Sequence, residues 1–137
     1  MNIVCATSVT QAREAFSALG HLTLVPDREI TRAHLVAADA LIVRSKTTVN
    51  AELLADTPVS FVATATAGAD HFDIPWLNDA DICWTASPGC NANAVAEYVT
   101  TVLTLLARRR AALLPGRTLG IIGCGHVGSR VAEKAGL

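Results

Sequence analysis

The chain has 137 residues, of which 51% are hydrophobic and 17% are charged, and its formal net charge at pH 7 is -1. This length suits one domain with its own core and is too short for two, and the hydrophobic fraction excludes a disordered chain. The near-neutral net charge argues against a dominant basic surface that would bind a nucleic acid or an anionic membrane.

Short apolar runs alternate with helical patterns over the first part of the chain. The apolar runs predict five strands, at residues 2–7, 21–25, 39–45, 59–65 and 81–86. The intervening segments predict helices, with Ser8, Thr31 and Asn50 as N-caps and Gly20 as a stop. This alternation predicts an α/β fold with a parallel, helix-covered sheet.

A different pattern begins after residue 91. Residues 92–110 predict a longer helix, which contains Glu97 and is too short in its apolar part to span a bilayer. Residues 118–123 predict a new strand that leads into another helix. We therefore divide the chain into a first lobe at 1–92, a linking helix at 93–114, and the first strand, turn and helix of a second domain at 115–137. We expect this second domain to be incomplete and the chain to be part of a longer protein, because a domain that opens with one strand and one helix needs about a hundred further residues to reach a typical domain size.

Four cysteines are scattered along the chain without a C-x-x-C pair. This spacing is typical of reduced thiols rather than of a disulfide framework or a zinc site. The N-terminal residues lack the basic start and long apolar stretch of a signal peptide. We therefore expect a cytoplasmic location and no bound metal.

The segment "GCGHVG" at residues 123–128 has the spacing of a dinucleotide-binding turn. In such a turn Gly123 permits the tight bend, Gly125 lets the backbone approach a pyrophosphate, and Gly128 allows close packing of the helix. The helix that follows directs its free N–H groups at the phosphates. The acidic residue that binds the ribose is expected about 20 residues further on, and the chain ends before that position.

Polar residues follow the third and fourth predicted strands, where ligands of open α/β sheets bind. Arg44 and Ser45 lie at the carboxyl end of the third strand and can bind a carboxylate or phosphate. The alternative is that Ser45 only shapes the loop and that Arg44 is a solvated charge. Thr66 and Gly68 follow the fourth strand, in a loop whose backbone N–H groups can line an anion site.

These segments together resemble a known enzyme family. "ALIVRSKTTVN", "FVATATAGADHFD", "SPGCNANAVAEYV" and "LGIIGCGHVGSR" are similar to blocks of the D-isomer-specific 2-hydroxyacid dehydrogenases. The resemblance implies a flavodoxin-like substrate lobe followed by the start of a Rossmann nucleotide-binding lobe. It also implies NAD as cofactor, a small phosphorylated 2-hydroxy acid as substrate, and a homodimer.

The same resemblance implies roles for individual residues. Ser45 and Thr66 would contact the substrate, loop amides near Gly68 would help to hold its carboxylate, and His126 and Val127 would lie at the tip of the cofactor turn. The family's acid/base histidine, its partner glutamate and its carboxylate-binding arginine belong to later blocks. No catalytic residue is therefore assigned to this chain, and we expect the isolated chain to be inactive. The alternatives are a dehydrogenase of the phosphoglycerate type and a non-catalytic flavodoxin-like module.

Overall fold

The computed structural model of the protein describes residues 1–110 and 114–136. The chain separates into two compact units, Met1–Ser87 and Pro88–Leu137.

The first unit contains a five-stranded parallel sheet in the order β2-β1-β3-β4-β5. The strands are β1 (Asn2–Ala6), β2 (His21–Val25), β3 (Ala40–Val43), β4 (Phe61–Thr64) and β5 (Cys83–Thr85). This strand order is that of flavodoxin-like folds. The predicted α/β class and parallel sheet are therefore confirmed, with each predicted apolar run containing one strand.

Short helices connect the strands of this unit. They are α1 (Ala12–Phe16), α2 (Arg32–Leu35), α3 (Ala51–Leu54) and α4 (Ile74–Asp79), with a 3-10 turn at Asp27–Glu29. The predicted caps at Thr31 and Asn50 are confirmed: Thr31 forms a capping box with His34, and the Asn50 side chain accepts from the Leu53 N–H. The predicted cap at Ser8 is wrong. Gln11 precedes α1 instead, and the Ser8 hydroxyl donates to the Asp27 carboxylate.

The core of the first unit lies on both faces of the central strands. All four residues of β3 and four of the five in β1 are buried, as expected for inner strands covered by helices on both sides. The largest fully buried side chains come from β3 and from the surrounding helices: Leu35, Leu41, Leu54 and Leu77. Each such leucine contributes about 1.5–3 kcal/mol to the stability of the first unit through burial.

The second unit contains two helices that pack against each other, α5 (Ala92–Arg109) and α6 (His126–Ala135). Val131 of α6 is buried, and Lys134 pairs with Glu97 of α5 at 3.6 Å. The strand predicted at residues 118–123 is wrong, since this segment has no regular structure and Ile122 is fully exposed. A strand requires a pairing neighbour, and the second unit contains no other strand among its described residues. Within the part of the chain that the structure describes, the helices are too short or too polar to cross a membrane.

Candidate functional site

An open pocket of about 440 Å³ lies at the carboxyl edge of the sheet, between the loops that follow β3 and β4. Ser45 comes from the first loop, and four residues of the second loop complete the lining: Thr66, Gly68, Asp70 and His71. The carboxyl ends of parallel strands meet at one edge of the sheet, which is where open α/β sheets bind ligands. Three of the predicted substrate-binding residues, Ser45, Thr66 and Gly68, are thus brought together.

Backbone hydrogen bonds join the two loops. Val49 and Phe72 form an isolated parallel bridge, in which the Val49 N–H donates to the His71 carbonyl and the Asp73 N–H donates to the Val49 carbonyl, both at 2.8 Å. The buried Thr47 anchors the first loop, because its hydroxyl donates to the Asp27 carbonyl at 2.8 Å. The pocket is therefore formed by segments that are fixed to the sheet and to each other.

A network of side chains runs along the β4 side of the pocket. The His71 Nε2 lies 3.0 Å from the Thr64 hydroxyl, which lies 2.6 Å from the Thr66 hydroxyl. The Thr66 hydroxyl donates to the Gly68 carbonyl at 2.8 Å. Burial lowers the pKa of the His71 imidazole below its usual value, and the nearby Asp70 carboxylate opposes part of this shift. The imidazole is therefore neutral at pH 7.

The loop after β4 also presents unpaired backbone donors. Among the described residues, the consecutive N–H groups of residues 66–70 donate to no protein acceptor. Successive free N–H groups of this kind are available to an anion. The pocket lining described by the structure contains no lysine or arginine, and Asp70 adds a negative charge. An anion in this pocket would thus be held by hydroxyl and amide hydrogen bonds, and an additional cation would strengthen its binding.

Arg44 lies outside the lining of this pocket. Its guanidinium Nη1 donates to the Ser8 carbonyl at 3.3 Å, which links the loops after β1 and β3. These two strands are neighbours at the point where the strand order of the sheet reverses, the usual ligand crevice of this topology. In this structure Arg44 spans that crevice, whereas the pocket is one strand further along, between β3 and β4.

The turn before the last helix of the second unit contains the three glycines of the predicted cofactor site. Gly123 has φ +89°, in the left-handed region that glycine adopts without strain. A Cβ on Gly128 would lie 2.0 Å from the Gly123 carbonyl oxygen, so only glycine fits there. A Cβ on Gly125 would meet no atom within 4 Å, so the space in front of this backbone is open. These three positions fit the roles of the three glycines in a pyrophosphate-binding turn.

The helix after this turn begins at His126, with Gly125 at its N-cap position. The Ser129 N–H donates to the Gly125 carbonyl, and this bond leaves the N–H groups of residues 126–128 without helical acceptors. The His126 imidazole lies against Gly89, where an added Cβ would be 2.6 Å from its Cδ2. Gly89 has φ +77° as well, so both its conformation and its lack of a side chain accommodate this ring.

Two residues of the pocket lining, Asp70 and His71, are not among the site residues predicted from the sequence. The fold of the loop after Gly68 decides their position, and no periodicity or spacing reports it. The cap of α4 is Asp73, whose carboxylate accepts from the Trp76 N–H at 3.2 Å. Within the described ranges, 1–110 and 114–136, no group of three or more His, Cys, Asp or Glu side chains is placed to hold a metal ion.

The sequence of this chain is similar to sequences of known dehydrogenases. A family model described as the catalytic domain of D-isomer specific 2-hydroxyacid dehydrogenases matches residues 4–128. The erythronate-4-phosphate dehydrogenases of Salmonella paratyphi B and Salmonella newport are each 52% identical to this chain over 134 residues. The alignments cover 98% of this chain and 35% of each relative, so the chain spans about a third of the length of these enzymes.

Solved structures give the same grouping. An NAD-bound 3-phosphoglycerate dehydrogenase of Entamoeba histolytica is 32% identical, with a TM-score of 0.74, and the alignment covers 99% of this chain and 50% of that one. A D-lactate dehydrogenase of Aquifex aeolicus, in complex with NAD and lactic acid, is 26% identical with a TM-score of 0.76. The alignment with it covers 98% of this chain and 48% of that one.

Proposed function

The chain belongs to the family of D-isomer specific 2-hydroxyacid dehydrogenases, and we propose that the complete protein is an erythronate-4-phosphate dehydrogenase. It oxidises the 2-hydroxyl group of 4-phospho-D-erythronate and forms 2-oxo-3-hydroxy-4-phosphobutanoate, a step of vitamin B6 biosynthesis. NAD accepts the hydride that leaves carbon 2. The 52% identity to the Salmonella enzymes over nearly the whole chain supports this assignment over a phosphoglycerate dehydrogenase, for which the identity is 32%.

The observation that carries the proposal is the pocket of the first unit. Ser45 and Thr66 place two hydroxyl groups in one lining, beside the unpaired N–H groups of residues 66–70. Hydroxyl and amide donors are what an ionised carboxylate or phosphate requires, and 4-phospho-D-erythronate carries both groups. We assign Ser45 and Thr66 as hydrogen-bond donors to the substrate, and the backbone at Gly68 as part of the site that holds its carboxylate. Arg44 restrains the loop that carries Ser45, because its guanidinium donates to the Ser8 carbonyl.

The cofactor belongs to the second unit. Gly123, Gly125 and Gly128 form the turn that would hold the pyrophosphate, with the N–H groups of His126 and Val127 at the start of α6. We assign no acid/base role to any histidine of the chain. Proton removal from the 2-hydroxyl group falls to residues beyond those described, and we expect the isolated chain to bind ligand without turning it over.

We further propose that the complete protein is a cytoplasmic homodimer. The family resemblance implies the dimer, and we assign its contact to α5, which carries the exposed side chains of Tyr98 (69%) and Leu105 (51%). The four cysteines are free thiols, as is usual in a reducing compartment.

Steady-state kinetics of the complete protein tests this function. With 4-phospho-D-erythronate and NAD, we expect saturable formation of NADH. Ser45→Ala should raise the KM for the acid about 10-fold or more, because a hydrogen bond to a charged group contributes about 1.5–3 kcal/mol. Ser60→Ala is the matched control, since Ser60 is exposed and lies just before β4, at the opposite edge of the sheet. Equal KM values for both variants would contradict the assignment of Ser45 to the substrate site.

A further inference from the structure

The hydrogen bonds beside the pocket determine one another's direction. A threonine hydroxyl has one proton to donate. The Thr66 hydroxyl donates to the Gly68 carbonyl at 2.8 Å, so at its 2.6 Å contact with Thr64 it must accept. Thr64 therefore donates to Thr66, and its own oxygen must accept at the 3.0 Å contact with His71. The Nε2 atom of His71 must then carry a proton.

We propose that His71 is a positioning residue of the pocket, whose Nε2–H starts a one-way chain of hydrogen bonds through Thr64 that keeps the Thr66 hydroxyl a donor. The Thr66 proton is directed at the Gly68 carbonyl in the free protein, and it turns to an acceptor oxygen of an anionic ligand when one enters. His71 thus acts on the ligand through two hydroxyl groups. If Nε2 lacked its proton, Thr64 would donate to Nε2 instead of to Thr66, and no bond from Thr64 would then hold the Thr66 hydroxyl as a donor.

The surroundings of the network hold this arrangement in place. Thr64 is 2% exposed, so water does not compete for its hydroxyl. The His71 ring packs edge-on against Phe72 with the ring centroids 4.8 Å apart, and its backbone carbonyl accepts from the Val49 N–H at 2.8 Å. Both the ring and the backbone of His71 are therefore restrained, and Nε2 is kept on Thr64.

The direction of these hydrogen bonds does not depend on the proposed function. Only the identification of the ligand as the substrate rests on the proposed function. Nitrogen-15 NMR of the 137-residue chain tests the direction without any turnover. We expect His71 to show a protonated Nε2 and a bare Nδ1 at neutral pH, with an Nε2 proton that exchanges slowly with water. Thr64→Val should make that proton exchange rapidly. A protonated Nδ1 with a bare Nε2, or rapid exchange already in the wild type, would overturn the proposal.

Kinetics of the complete protein tests the consequence for the ligand. His71→Phe keeps a ring beside Phe72 and removes the donor, and His71→Gln supplies an amide N–H in its place. We expect His71→Phe to raise the KM for 4-phospho-D-erythronate about 2- to 10-fold at nearly unchanged kcat, as for the loss of one neutral hydrogen bond. His71→Gln should restore the wild-type KM. Equal impairment in both variants would refute positioning through the N–H, whereas an inactive wild type would refute the proposed substrate and leave the NMR result to decide the direction.

Discussion

Replacing Thr64 by valine removes the central hydroxyl of the pocket network and leaves the shape of the strand residue nearly unchanged. Thr64 ends β4 and is buried, and its hydroxyl joins His71 to Thr66 at 3.0 and 2.6 Å. Each lost hydrogen bond costs about 0.5–1.5 kcal/mol. His71 and Thr66 are only half-buried, so water can satisfy part of what they lose, while the valine avoids burial of a hydroxyl. We expect the free energy of unfolding to fall by about 1–2 kcal/mol.

Urea denaturation of the chain measures this change, with Thr85→Val as the matched control. Thr85 lies on β5, is exposed, and donates only to the neighbouring Ala86 carbonyl at 3.3 Å. The same substitution there should change the free energy of unfolding by less than about 0.5 kcal/mol. If Thr64→Val were as stable as the wild type, or no less stable than Thr85→Val, the hydroxyl network would contribute nothing, and the restraint argued for His71 would be refuted.

Two further predictions concern the glycine turn and the buried thiol. In the complete protein, Gly128→Ala should raise the Kd for NAD about 10-fold or more, because its Cβ would lie 2.0 Å from the Gly123 carbonyl oxygen and force the turn to shift. Gly120→Ala, whose Cβ meets no atom within 4 Å, is the control and should leave the Kd unchanged. Isothermal titration calorimetry measures both Kd values, and equal values for the two variants would contradict the role of Gly128. Burial and the nearby Asp27 carboxylate raise the pKa of Cys5 from 9.0 to about 11, so the folded state favours the neutral thiol. The resulting contribution to the free energy of unfolding, about 2–3 kcal/mol at most, is present below pH 9 and is lost as the pH rises through about 11. Between these pH values the urea midpoint of the wild type should therefore fall, and Cys5→Ala should make this fall less steep. An equally steep fall in Cys5→Ala would contradict the raised pKa of Cys5.

The parts of the fold that sequence predicts are those that local chemistry decides. The buried runs around β1 and β3 are apolar throughout, which is typical of inner parallel strands, and the caps at Thr31 and Asn50 depend on neighbours only three residues away. Ser8 has the chemistry of a cap as well, but its hydroxyl bonds to Asp27, 19 residues later, and no local pattern reports such a partner.

Contacts between distant residues also decide the strand and the site residues that the sequence does not predict correctly. Residues 118–123 have strand propensity, but a strand forms only beside another strand, and the described part of the second unit provides none. Ser45 and Thr66 are predictable from the sequence because they are polar residues at the ends of neighbouring parallel strands, which meet at one edge of the sheet. The position of His71 depends on the fold of its loop and on the Val49–Phe72 bridge, which joins residues far apart in the sequence. The family itself was predicted correctly from the motifs, because several spaced segments had to agree at once.

The specificity constant, kcat/KM, of the complete protein for two phosphorylated acids tests the proposed function. We predict that NADH formation with 4-phospho-D-erythronate exceeds that with 3-phospho-D-glycerate by about 100-fold or more in kcat/KM, equivalent to about 3 kcal/mol of differential transition-state binding. Ser45→Ala should lower the constant for the preferred acid. A preference for 3-phospho-D-glycerate, or turnover of neither acid, would contradict the proposed function.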